Sequence, residues 1–357
     1  MKALVWPGGP GTRLRPLTHS LPQQLVPIAG RPVLEHVLAG IRDLGVREVC
    51  VVVGDGDGDG AGQIQRALGD GSRLGLDLTC LPQDAPRGLG HALSVARGFL
   101  ADDDFVAYRG DTLLPGGVAG QAAAFAARRC AARLVVRRTA RPDASPAFEL
   151  GADGRVVSVS DGSGGDIAPT GVHFFTPAVH EAVAALTTDG DGGPTLTTLL
   201  RWLLAHGSDV RADEYAGYWR RIVSVEDVLH AHRALLDGLS TAVDGDVDDL
   251  SRITGQVVVE PGVRVVRSWI EGPAIIAAGS VVEESHIGPH ATIGRDCVVR
   301  GTHVDDSVVL DGATIQPVGR LNGSLIGRSA HVAATARHES PGHRLVVGDD
   351  TRVEVAA

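Results

Sequence analysis

Between Ile275 and Val299 an aliphatic residue recurs at an unbroken spacing of six: Ile275, Val281, Ile287, Ile293 and Val299. Two residues before each stands something small or compact, namely Pro273, Gly279, Ser285, Ala291 and Cys297. A helix would repeat its apolar positions at about 3.6 residues, and the strands of a sandwich would recur at roughly 8–12 with turn signals between them. A fixed period of six, with inward aliphatic positions and small corners, predicts instead a left-handed parallel β-helix. The register loosens near Val304 and Val309, and Ile315 resumes it.

The residues before this repeat follow a different rule. Ala3 to Trp6 reads as a strand running into the glycine-rich Gly8 to Gly11, and Val33 to Leu44 carries a helical apolar face. Strand and helix patterns then alternate: Val49 to Val53, Leu76 to Leu81, His91 to Leu100, Phe105 to Arg109, Gln121 to Ala127 and Leu134 to Arg138, with a helix over Val225 to Leu239. Alternation of this kind predicts an α/β domain with a mixed, mainly parallel, Rossmann-like sheet. The Gly-Asp repeat from Gly54 to Gly60 lacks the glutamate and spacing of a calcium loop and reads as a surface loop. The acidic Thr241 to Asp249 reads as a linker, giving an α/β domain over 1–240, a linker over 241–250 and the β-helix with its tail over 251–357. A chain of 357 residues is long enough for two cores.

A net charge of −10 argues against nucleic acid or a membrane surface as partner, since either calls for a broad basic face. It leaves room for a nucleotide, which needs only a few local donors. Cys50, Cys80, Cys130 and Cys297 are far apart and form no Cys-x-x-Cys pair, so reduced thiols in a cytoplasmic protein are expected. Met1 to Trp6 is too short for a signal-peptide core, and no apolar run reaches membrane-spanning length. Of the 33 basic residues only Lys2 is a lysine, so any catalytic lysine must be Lys2.

Gly8-Gly9-Pro10-Gly11-Thr12-Arg13-Leu14-Arg15-Pro16 follows the first strand directly. Glycines there let backbone N–H groups approach a phosphate chain, and an arginine adds a planar donor pair. The whole string resembles the signature of the sugar-1-phosphate nucleotidyltransferase family. The resemblance extends through Pro22 to Pro27, Gly30 to Pro32, Gln83 to Ala92, Tyr108-Arg109-Gly110-Asp111 and Gly171 to Phe175. The tail from Val266 to Val318, with Leu345 to Arg352, is similar to the long form of glucose-1-phosphate thymidylyltransferase, which carries such a β-helix and is common among enzymes making deoxysugars.

In that family a sugar phosphate attacks the α-phosphate of a nucleoside triphosphate and pyrophosphate leaves. By the resemblance, Arg13 would hold the pyrophosphate, and Gly8, Gly9, Gly11 and Thr12 would cradle the phosphates. Gln83 and Gly88 would meet the base, Asp111 would bind Mg²⁺, and Gln23, Tyr108, Gly171 and Arg221 would lie on the substrate side. Arg13 and Asp111 are thus the expected catalytic residues, and a homo-oligomer joined through the β-helix is the expected assembly.

At several positions the chain differs from the pattern it resembles. Gln23 stands where the family has a lysine for the sugar phosphate, Pro10 where a basic residue is common, and Arg221 where an aspartate completes the metal site. Ser160 to Gly164 replaces Glu-Lys-Pro, the glutamate expected near Thr195 is absent, and Ser145-Pro146 replaces an aromatic-glycine pair. Two readings therefore stay open: a divergent nucleotidyltransferase acting on a sugar or cyclitol phosphate, or a scaffold redirected to another reaction or to binding and regulation. A third, acyl transfer at His286, His290 or His303, lacks a supporting motif, and those histidines read as solvent-facing.

Overall fold

The computed structural model describes residues 1–9, 11–54, 60–85, 87–139, 147–161, 166–187, 193–336 and 342–356. Pro10, the interior of the Gly54 to Gly60 repeat, Ser145-Pro146 and Gly162 to Gly164 lie outside the described residues. The chain forms two compact units, Met1–Pro10 with Val33–Arg221, and Gly11–Pro32 with Ile222–Ala357. Packing thus divides the chain differently from the sequence boundary at 240, because helix Val225–Leu236 belongs to the unit that contains the β-helix.

The first unit is built on seven strands: β1 Lys2–Trp6, β2 Glu48–Gly54, β3 Asp77–Gln83, β4 Phe105–Arg109, β5 Ala132–Arg138, β6 Ile167–Phe175 and β7 Val210–Glu214. Their order across the sheet is β7-β5-β6-β4-β1-β2-β3. All neighbours run parallel except at β6, which is antiparallel to both β4 and β5. The expected Rossmann-like, mainly parallel sheet is therefore present. Its central strands read as near-continuous apolar runs, such as Val49 to Val53, because helices cover them. The helical pattern over His91 to Leu100 resolves into two helices, Leu89–Val95 and Arg97–Leu100.

The second unit carries three parallel sheets of seven, seven and five short strands, the architecture of a β-helix and consistent with a left-handed one. Strands stack about one coil apart, as in Val258↔Ile275↔Thr292. The inward positions run Val265, Ile270, Ile276, Val282, Ile287, Ile293, Val299, Val304, Val309 and Ile315, all within one apolar core. Ile287, Ile293 and Val299 therefore sit where the period of six puts them, and Ile315 where it resumes, whereas Ile275 and Val281 do not; their neighbours Ile276 and Val282 point inward. The reason is that the coils through Val299 hold two steps of six and one of five, the next holding one of six and two of five, and Ile275-Ile276 and Val281-Val282 offer an aliphatic residue in either register. One corner of each coil takes a left-handed backbone, at Gly262, Gly279, Asp296, Gly312 and Ser329, where glycine or a short polar residue is tolerated.

The segment expected as a linker is already part of this coil. Ala242–Val243 pairs with Val257–Val259, and Asp246–Val247 pairs with Arg264–Val266. Strands of two residues are too short to leave a sequence pattern, and their acidic neighbours masked them. Helix Val225–Leu236 starts on a capping box: Ser224 Oγ accepts the Asp227 N–H at 3.2 Å, and Asp227 Oδ2 accepts the Ser224 N–H at 3.0 Å. In the same unit the Ala29 N–H donates to His232 Nδ1 at 3.1 Å, and the Ser20 hydroxyl donates to Asp349 Oδ2 at 2.8 Å.

His286 and His303 stack in line with Trp269 along one face of the β-helix, with successive ring centroids 4.2 Å apart. Backbone register explains the ladder, since Trp269, His286 and His303 are direct neighbours on successive strands. No described helix is long and apolar enough to cross a membrane.

Candidate active site

Strand β4 buries Phe105, Val106, Ala107 and Tyr108 and delivers Arg109 to its carboxyl end. The chain turns there, with the Gly110 N–H donating to the Trp6 carbonyl at 2.9 Å, and Asp111 follows with no exposed surface. Thr112–Leu113 then pairs antiparallel with Arg220–Arg221, so that Thr112 faces Arg221. This short pairing carries Arg221 to Asp111.

The result is one buried carboxylate between two guanidinium groups. Arg109 Nε lies 2.8 Å from Asp111 Oδ1, a close ion pair, although its angle is too bent for an aligned hydrogen bond. Arg221 Nε donates to Oδ2 at 3.4 Å, and the Thr112 hydroxyl donates to Oδ1 at 3.4 Å. Burial lowers the affinity of Arg109 for its proton, Asp111 raises it, and Arg221 lowers it again. Both arginines remain cations in any case, so the trio carries a net positive charge.

Two glycines shape the surroundings. A Cβ on Gly8 would fall 2.0 Å from Asp111 Oδ2, so no other residue fits beside the carboxylate. Gly171 has φ of 91°, and a Cβ there would meet Arg109 Cβ at 3.1 Å and Thr112 Oγ1 at 3.3 Å. Next to it, the Thr170 carbonyl accepts the Trp219 Nε1–H at 2.8 Å, and Arg137 lies 3.9 Å over the Trp219 ring. These contacts hold the segment that ends in Arg221. His173, 1% exposed, is driven down to about 3 by burial and then by Arg109, so it is a neutral core ring and no acid–base group.

Gln83 closes β3 in the same unit and is 2% exposed. Its Oε1 lies 3.3 Å from His91 Nδ1, while its Nε2 has no hydrogen-bond partner among the described residues. A buried amide donor without a partner costs about 1–3 kcal/mol, which an incoming acceptor would recover. Gly88 is exposed at the start of helix Leu89–Val95, with φ of 86°.

The sequence-derived residues thus fall into groups. Gly8, Asp111, Gly171 and Arg221 come together; Gly9 follows Gly8 with open space around its α-carbon. Tyr108 does not join them: it is 2% exposed, and its hydroxyl lies under Gly40, so it is a core residue. In the other unit Gly11 has φ of 70° and packs on Gln23, while Thr12 and Arg13 are exposed. Gln23 is 4% exposed, and its Nε2 donates to the Ile222 carbonyl. Neither the Arg109 ion pair nor the Trp219 anchor is legible in the residue pattern, because the first depends on the turn after β4 and the second on the pairing of Thr112–Leu113 with Arg220–Arg221. A cleft of about 620 Å³ also lies in the first unit, lined by Val136, Arg138, Phe148, Ile167 and Glu214 among others, and none of the expected site residues lines it.

Two family models and several known proteins match the chain. The family model for nucleotidyl transferase matches residues 2–238, and that for the GMPPB C-terminal domain matches residues 270–356. Glucose-1-phosphate thymidylyltransferase of Streptomyces griseus is 42% identical, with 100% of each chain covered. The protein of the same name from Streptomyces antibioticus is 41% identical over 99% of each. A solved structure from Bacillus anthracis, crystallised with sucrose, shares the fold at a TM-score of 0.61 and 20% identity, covering 68% of this chain and 97% of that one.

Proposed function

The chain belongs to the nucleotidyl transferase family, and on that premise we propose that it transfers a nucleotidyl group from a nucleoside triphosphate to a sugar or cyclitol 1-phosphate. The single observation that carries the reading is full-length identity of 42% to a glucose-1-phosphate thymidylyltransferase. The juxtaposition of Gly8 with Asp111, Arg109 and Arg221 supports it from the side of the chemistry.

An oxygen of the acceptor phosphate attacks the α-phosphorus; that P–O bond forms, the bond to the β-phosphate oxygen breaks, and pyrophosphate carries away the electron pair. The attacking oxygen is already anionic, so no general base is needed. What the protein supplies is placement and charge. The backbone at Gly8, Gly9 and Gly11, with Thr12, would line the phosphate chain, and exposed Arg13 would hold the leaving pyrophosphate. Gln83 Nε2 would donate to a base acceptor near Gly88. Arg109 and Arg221 would balance phosphate charge, and Gly171 keeps a side chain off the acceptor side.

The resemblance implies Mg²⁺, with Asp111 as ligand. The residues present do not fit it: each Asp111 oxygen faces a guanidinium, and no group of three or more His, Cys, Asp or Glu is gathered among the described residues. A cytoplasmic homo-oligomer, joined through the β-helix, completes the proposal.

The test is a pyrophosphate-release assay across nucleoside triphosphates and sugar or cyclitol 1-phosphates, beginning with deoxythymidine triphosphate and glucose 1-phosphate. Release that requires both substrates, and falls at least about tenfold in Arg13→Ala, supports the reading. The contact of Arg221 with Asp111 favours a second one, in which the pocket binds a nucleotide without transferring it. Calorimetric binding with no pyrophosphate from any pair would decide for that second reading.

A further inference from the structure

Arg109 and Arg221 both reach Asp111 through Nε, the inner nitrogen of the guanidinium. The outer Nη groups of both side chains make no hydrogen bond among the described residues. Their side chains are 27% and 37% exposed, so the groups are partly desolvated yet reachable. Asp111, wholly buried, holds two forks at their base and leaves their outer donors available.

Charge points the same way. Two guanidinium cations share one carboxylate, in a chain whose overall charge is −10. Arg221 weakens the hold of Arg109 on its proton, which is the mark of like charges kept close. An anion bound between the forks would relieve that repulsion, whereas a divalent cation would add to it. Planar forks match phosphate oxygens two at a time, and donors fixed in advance need no reorganisation when the ligand arrives. Gly8 and Gly171 keep the approach clear, since a Cβ at either would press on Asp111 or Arg109.

We propose that Arg109 and Arg221, held together by Asp111, form a phosphate-binding site that works without a divalent cation. The inference rests on the reading of this pocket as a phosphate-handling one, and it assigns the charge that a metal would carry to two side chains. The ligand class is a phosphate ester or anhydride, from either the nucleotide or the sugar phosphate.

The probe is inorganic pyrophosphate, titrated by calorimetry into the full chain in EDTA and again with excess Mg²⁺. The site predicts binding in EDTA that Mg²⁺ does not tighten. Arg221→Gln should weaken that binding by about 10- to 100-fold, the loss of one charge-assisted contact, while Arg221→Lys should retain part of it. A circular-dichroism melt confirms that each variant is folded, and if Arg221→Gln is not, Arg221→Lys and Arg109→Lys carry the comparison. Displacement of pyrophosphate by glucose 1-phosphate assigns the site to the acceptor, and displacement by the triphosphate alone assigns it to the donor. No binding in EDTA with binding in Mg²⁺, or equal affinity in wild type and a folded Arg221→Gln, overturns the proposal. Binding in EDTA by a protein that transfers nothing would leave the site standing and sink the proposed reaction. Mg²⁺-dependent transfer with Arg221→Gln binding pyrophosphate as wild type does would do the reverse.

Discussion

Buried polar groups are satisfied in opposite ways in the two units. In the β-helix the Ser268 N–H donates to Ser251 Oγ at 3.0 Å, the Ser285 N–H to Ser268 Oγ at 3.1 Å, and the Thr302 N–H to Ser285 Oγ at 3.2 Å. Each of these hydroxyls meets its equivalent position one coil away, so one solution serves this ladder, while Thr292 Oγ1 in the same coil has no partner among the described residues. In the α/β unit each buried polar group has its own arrangement: Asp111 between two arginines, Arg133 on Asp213, and Gln83 with one donor unmet among the described residues. Repetition closes a scaffold on itself. Irregularity leaves charge and donors available to a ligand, at some cost in stability.

The sharpest way to break this contrast is to damage the repeat. Ile293 is fully buried in the β-helix core, and Ile293→Ala should lose about 2–5 kcal/mol, read from the shift of a denaturant midpoint. A loss below about 1 kcal/mol would mean the coils do not share one packed core. Ser285→Ala comes next, because it strands the Thr302 N–H in a buried position; about 1–3 kcal/mol is expected by the same measurement.

The α/β unit should respond with the opposite sign. Gln83→Leu removes a buried amide whose Nε2 has no described partner, so thermal melting should hold or rise while nucleotide affinity falls about tenfold. A large drop in melting temperature, with affinity intact, would make Gln83 a structural residue.

The smallest effect is one of pH. His173 sits at about 3 in the folded chain, below the ordinary value near 6.5, chiefly through burial. The unfolded chain therefore binds more protons than the folded one below about 6.5, and stability is lost as pH falls from there toward 3. Above that window the group contributes nothing. His173→Phe, whose ring would sit between Trp6 and Phe175, should make the fall of melting temperature between pH 6.5 and 5 shallower. An unchanged slope would place the acid sensitivity elsewhere, with His232, also held at about 3, the next group to replace.

How far the sequence could be read follows from the same contrast. Ile287, Ile293 and Val299 were legible because a repeated environment writes a repeated residue. Ile275 and Val281 were misplaced by one position, since a coil is one residue short of three sixes. The strands Ala242–Val243 and Asp246–Val247 were hidden in what reads as a linker. At the site, Gly8 and Asp111 were legible through the motif, and their closeness is a packing fact: no side chain fits at residue 8. Gln23 and Tyr108 are expected on the substrate side; what the pattern of residues does not reveal is that the Gln23 amide donates to the Ile222 carbonyl and that the Tyr108 ring is buried. Arg221 was visible as an unusual residue, but only the pairing of Thr112 with Arg221 reveals what it touches.

The proposed division of labour between an irregular sheet end that binds the ligand and a repeating coil that does not can be measured in one experiment, hydrogen exchange followed by mass spectrometry with and without deoxythymidine triphosphate. Slowed exchange is expected over residues 4–13, 81–89, 106–113, 168–173 and 218–222, with the coil from 264 to 315 unchanged. Slowing confined to the coil, with those five segments unaffected, would contradict the proposed division.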